Sequence, residues 1–248
     1  AFALHHWALP QRRFPLRVAA FPAWMLLPVM LVILAFDSVD LDIFPQMGGW
    51  WIWPLAVALW LIMLRCLDGS RENLRKTTWS WAHGGLVLLA CCLLANALWW
   101  AVEEAQLWHT AWASVVFVVA GTAVLAYLAR APHFAALDDA DAAAWPWQPY
   151  ARVYLAPAAG LLAWVLGLGA VLLAATSRGN AYPLPYIPLL NPTDLSVLAA
   201  LLIILRYRLR AAEFKEQALP RWELLALALA GFIWINTIWL RCVHHYWG

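Results

Sequence analysis

Charge is what this chain most lacks. Only 12% of its 248 residues are Asp, Glu, Lys or Arg, about half the ~25% of an ordinary soluble domain. Cysteine is sparse as well. Cys66, Cys91, Cys92 and Cys242 show no CxxC spacing, and two of them lie inside an apolar run. That excludes a disulfide framework or a thiolate metal centre and leaves small buried hydrophobes. No Ser–His–Asp pattern, phosphate-cradling glycine loop or redox motif is present. No cleavable signal is visible, and because the chain starts with Ala an upstream start is expected to be missing.

Apolar residues take the vacated share, at 65% of the chain against roughly 45–50% in soluble domains. Runs of about 20 of them recur, enough to cross a ~30 Å hydrocarbon core. A chain of this length could not hide so much apolar surface from water, so a polytopic membrane protein follows. Seven spans are expected, near 15–36, 50–66, 80–102, 110–130, 153–176, 190–206 and 222–242. Most of the nineteen tryptophans fall at the ends of these runs, where indole rings favour the membrane–water interface.

The chain also repeats itself. A shift of 140 places Trp7 on Trp147, Arg12 on Arg152, Trp24 on Trp164, Pro45 on Pro185, Asn96 on Asn236 and Trp99 on Trp239. The fold class expected is therefore all-α: a transmembrane helix bundle of two parallel tandem repeats, 1–140 with four spans and 141–248 with three. An eighth helix is missing from the second copy, so the chain reads as a fragment of something longer. The acidic, alanine-rich stretch at 138–144 is the linker between the copies. In the fifth span Ala156, Gly160, Ala163 and Gly167 form a small-residue stripe suited to close helix packing.

Basic residues set the orientation. Fourteen of sixteen lie on one side of the expected spans, and only Arg178 and Arg241 on the other. The positive-inside rule makes the fourteen-residue side cytoplasmic, the N-terminal end of the chain included. A bacterial inner membrane is the expected location.

The opposite face collects the candidate chemistry. Asp37, Asp40 and Asp42 read as ordinary polar loop. Two interrupted segments do not: Pro183, Pro185, Pro188 and Pro192 break the approach to span six, and Pro45, Gly48, Gly49 and Pro54 the approach to span two. Non-helical backbone at membrane depth must be buried in protein or line water, and matched broken segments in two repeats point to a binding site. Asn191-Pro192-Thr193-Asp194 has the form of a helix cap followed by proline and a first-turn acid, and a capped helix start can also present N–H groups to an anion. Asn96 and Asn236 open the same Asn-x-x-Trp motif and are expected to make interhelical hydrogen bonds. Beyond it Glu104 is the counterpart of His244. Asp194, Arg241, His244 and His245 are therefore expected to converge, with Arg178, Asn191 and Asn236 as binding candidates. His244 or His245 would be the base of any catalysis, oriented by Asp194 or Glu104. Neighbouring histidines on a helix diverge by about 100°, so no metal site is expected.

The strings Pro183-Leu184-Pro185-Tyr186-Ile187-Pro188-Leu189-Leu190-Asn191-Pro192-Thr193-Asp194-Leu195 and Asn236 through Arg241-Cys242-Val243-His244-His245 resemble those of a bacterial membrane-protein family, Domain of Unknown Function 2339. Trp145-Pro146-Trp147 and Arg152 fit its manner too. The resemblance implies a long inner-membrane protein with many spans and supplies no activity. His5-His6-Trp7 looks like a further copy of the His-His element, although its charges place it on the cytoplasmic side.

Three functions remain open. The leading one is binding or transport of an envelope lipid or glycan through a periplasm-facing cavity. The others are a periplasm-facing transferase with a histidine base and a non-catalytic scaffold. Membrane lipids, other membrane subunits or missing parts of a longer chain are the expected partners, without nucleic acid and without a cofactor.

Overall fold

The apolar runs become helices, as they must where backbone groups have no water to bond. The computed structural model describes residues 29–31, 33, 49–68, 76–135, 145, 147–214 and 218–247. Among these, the helices are α1 (Gly49–Asp68), α2 (Lys76–Glu104), α3 (Trp112–Leu128), α4 (Ala131–Ala135), α5 (Trp147–Val153), a π-helical turn (Tyr154–Ala158), α6 (Ala159–Thr176), α7 (Pro192–Phe214) and α8 (Arg221–Trp247). Among the described residues three segments are long and apolar enough to cross a membrane: Ala82–Glu104, Tyr150–Thr176 and Arg221–Trp247. Trp51–Ile62 and Trp112–Leu128 are shorter apolar helices. All of the first expected span but residues 29–31 and 33, the acidic cluster Asp37, Asp40 and Asp42, and His5 and His6 lie outside the described residues, as does Trp24 of the repeat match.

Packing divides the chain into two units, 1–96 and 97–248. This boundary falls inside α2, away from the linker expected between the copies, which lies outside the described residues. In the first unit Trp53, Trp60, Leu64 and Leu89 are buried. Trp53 and Trp60 are thus core residues, unlike Trp108, Trp164, Trp222 and Trp239, which are exposed.

In the second unit α7 is central, packing against α3, α6 and α8. Its inward face (Val197, Ala200, Ile204, Tyr207) is buried. Pro157 cannot donate a backbone hydrogen bond, and the helix around it widens into the π turn. There the Leu155 carbonyl accepts a hydrogen bond from the buried Tyr207 hydroxyl at 2.7 Å. The small-residue stripe meets α7 as well: a Cβ on Gly160 would lie 3.7 Å from the Tyr207 hydroxyl, and one on Gly167 3.6 Å from Ile204. By contrast α8 is mostly exposed along its length.

Local contacts gather the loops at two ends. Ala111 donates its N–H to the Asn180 carbonyl at 2.9 Å, joining the α2–α3 loop to the α6–α7 loop. At the other end Phe134 meets Tyr207 and His133 stacks on Trp147.

Candidate functional site

Helix α7 begins with a full set of capping interactions. Asn191 is the N-cap: its carbonyl accepts the Leu195 N–H, and its side-chain oxygen accepts the Asp194 N–H at 2.9 Å. Pro192 takes the first helical position, where a missing N–H costs nothing. The Asp194 carboxylate, fully buried, accepts hydrogen bonds from the Asn191 amide and the Leu189 N–H. Buried charge of this kind persists only when paired.

Its partner arrives from the far end of α8. Arg241 forms a buried ion pair with Asp194 and donates to the Ala174 carbonyl at 2.8 Å and the Ser177 carbonyl at 3.3 Å. Those oxygens belong to the end of α6, where carbonyls lack intrahelical donors and carry the negative end of the helix dipole. One guanidinium therefore joins the end of α6, the start of α7 and the end of α8. Ser177 and Thr193 hydroxyls, 3.0 Å apart, add a second tie between α6 and α7.

The proline-rich segment closes over this centre. Gly179 has φ of +74°, and a Cβ there would lie 2.9 Å from the Arg241 stem and 3.0 Å from the Tyr186 ring. Only glycine suits both the backbone and the close approach. The Tyr186 ring stacks on His245, 4.1 Å between centroids. Burial pushes its phenol up to about 12, the Cys242 thiol and the Asp194 carboxylate adding to the rise and Arg241 opposing it.

The candidate residues thus separate into three groups. Asp194, Arg241 and Asn191 are brought together, and they are sealed in. His245, Arg178 and His244 form an exposed rim: a His245 ring nitrogen lies 3.2 Å from the Arg178 carbonyl, and His244 meets His245 edge to face. Neither histidine bonds to Asp194 among the described residues. Glu104 and Asn236 stand apart. Glu104 is exposed without a hydrogen bond among the described residues, and Asn236 donates to the Phe232 carbonyl one turn back at 2.8 Å. Asn96 does likewise to Cys92 at 2.9 Å. The interhelical bond expected of Asn236 is replaced by an intrahelical one, because its face of α8 points away from the bundle. Among the described residues no cluster of His, Cys, Asp and Glu could hold a metal ion.

A second ion pair lies at the opposite end of α7 and has no counterpart among the residues expected from the sequence. Arg208 of α7 grips Glu223 in the first turn of α8, with Nε to Oε2 at 2.7 Å. The available signal was an acid opening a long apolar run, a costly position that demands a partner. Between the two ion pairs lies an apolar groove of about 450 Å³, walled by α6, α7 and α8. Gly160, Gly167, Leu201, Ile204, Ala226 and Ala230 line it, and the Arg208–Glu223 pair lies at one end. Trp164 and Trp222 stack at its rim, 5.5 Å between centroids.

Long apolar helices, a charge pair sealed between three helix ends and an apolar lateral groove define a helical membrane protein. The chain belongs to the family described as "Predicted membrane protein (DUF2339)", whose profile matches residues 1–248. No curated protein and no solved structure matches it.

Proposed function

We propose that this protein binds an envelope lipid within the bilayer. The observation that carries the reading is the groove between α6, α7 and α8: its walls are apolar apart from the Arg208–Glu223 pair at one end, and its flanks (Val165, Leu168) are exposed. Such a wall suits an acyl chain and offers a sugar almost nothing to hydrogen-bond, which favours a lipid over a glycan. Binding is favoured over transport for the same reason, since polar groups do not continue through mid-depth. The proposed setting is the bacterial inner membrane, with seven spans in two parallel repeats. The Arg208 end, together with the N-terminal end of the chain, would face the cytoplasm by the positive-inside rule.

The transferase reading has less support. A histidine base needs an orienting carboxylate, and Asp194 is already held by Arg241 and Asn191. The scaffold reading draws on the Asp194–Arg241 centre, whose contacts join three helices of one chain.

Purification in mild detergent followed by mass spectrometry of retained lipids tests the proposal. A stoichiometric lipid is expected, reduced by Ala226→Phe, which fills the groove from the exposed wall of α8. A folded protein that retains no lipid would refute it.

A further inference from the structure

We infer that the groove selects an anionic phospholipid, one acyl chain lying along α6 and the phosphate sitting at the Arg208 end. This rests on the lipid-binding reading and adds to it the charge and direction of the ligand.

Direction follows from length and from the ends. The groove runs along α6 from Gly160 to Val171, eleven steps of about 1.5 Å, or roughly 16 Å. That is about half of a ~30 Å hydrocarbon core, the depth of one leaflet. A single chain fits this length, and only one end of the groove carries charge. Arg208 lies there, its side chain 27% exposed even while paired with Glu223.

Charge follows from the residues at that end of the groove. Arg208 and Glu223 line it and engage each other. Among the described residues no acid pairs with Arg221, whose charge is left over. Arg221 is exposed at the start of α8, two residues before Glu223 and beside Trp222 of the rim stack. A phosphate at the mouth of the groove would meet Arg221 and the exposed part of Arg208. A zwitterionic headgroup would bring its own cation into the same field. Basic pockets between helices at a membrane surface are a known means of holding anionic headgroups, each basic residue adding about fivefold in affinity.

Native mass spectrometry of the full chain tests this, titrating phosphatidylglycerol and phosphatidylcholine of identical acyl chains. Phosphatidylglycerol should bind in preference, Arg221→Gln should reduce that preference about fivefold, and Ala226→Phe should block both lipids. Circular dichroism and melting would establish that each variant is folded. Equal binding of the two lipids would overturn the inference while leaving the lipid groove standing. Failure of both to bind would remove the groove reading and the inference with it. A phosphatidylglycerol preference that survives Ala226→Phe would place the lipid on the basic surface outside the groove, and would also overturn the inference.

Discussion

Helices α7 and α8 are joined at both ends by an arginine–carboxylate pair, and the two pairs are unlike. At one end the acid sits on α7 and the arginine on α8 (Asp194, Arg241); at the other the polarity is reversed (Arg208, Glu223). The side-chain exposures are 6% and 0% for Arg241 and Asp194, but 27% and 9% for Arg208 and Glu223. Burial decides what each pair is worth. A sealed pair has surrendered its hydration and depends on its partner, whereas a pair that still touches water loses little when separated. The reversed polarity also fixes the antiparallel register, because sliding α8 along α7 breaks both pairs at once.

The largest expected effect comes from leaving one buried charge alone. Arg241→Met strands the Asp194 carboxylate and should destabilise by about 3–5 kcal/mol, read as a fall in thermal melting in detergent. The double variant Arg241→Met with Asp194→Leu removes the stranded charge, so much of the loss should return. If the single and double variants melt alike, the pair is not what holds this end.

Gly179→Ala attacks the same end through the backbone. The added Cβ meets Arg241 and Tyr186 in a left-handed conformation, so a cost of about 1–3 kcal/mol is expected. A wild-type melting temperature would show that the loop over the pair can yield. Asn191→Ala deletes the cap and one of the bonds to Asp194, and about 1 kcal/mol should be lost.

At the less buried end the effect should be smaller. Arg208→Gln is expected to cost about 1 kcal/mol or less, and added salt should narrow its difference from wild type. A loss equal to that of Arg241→Met would erase the distinction drawn from burial.

The smallest effect concerns pH and His133, stacked on Trp147 at the Arg208 end. Desolvation by burial is the main cause lowering its pKa below 6.5, Arg130 also lowering it while backbone hydrogen bonds to Leu128 and Tyr127 oppose. The unfolded chain then binds more protons as pH falls through 6.5, so stability should decline on acidification below that value. His133→Phe should flatten this part of the pH–stability curve, and an unchanged slope would assign it to another group.

Much of this was legible from residue order alone. Asn191, Pro192 and Asp194 announce a helix start because capping is a local property, satisfied within four residues. Helical runs were equally plain from apolar content. Less legible was the fate of the candidate site. Asp194 and Arg241 were expected to meet, yet whether they would line a cavity or fill it depends on how α6 ends beneath them. Glu223 has no local sign of its partner, which lies 15 residues earlier, across a loop. The spacing of Gly160 and Gly167 by itself indicates packing alone. The stripe does pack on α7, and its edge also lines the groove walled by α6, α7 and α8.

By itself the sequence determined the class of protein, the helices and their caps, since hydrocarbon admits few backbone solutions and capping is local. Only the tertiary structure decided which charges became buried, which histidines were left on the rim and where an apolar groove opened. Those properties depend on distances between residues far apart in the chain, and no local pattern encodes them.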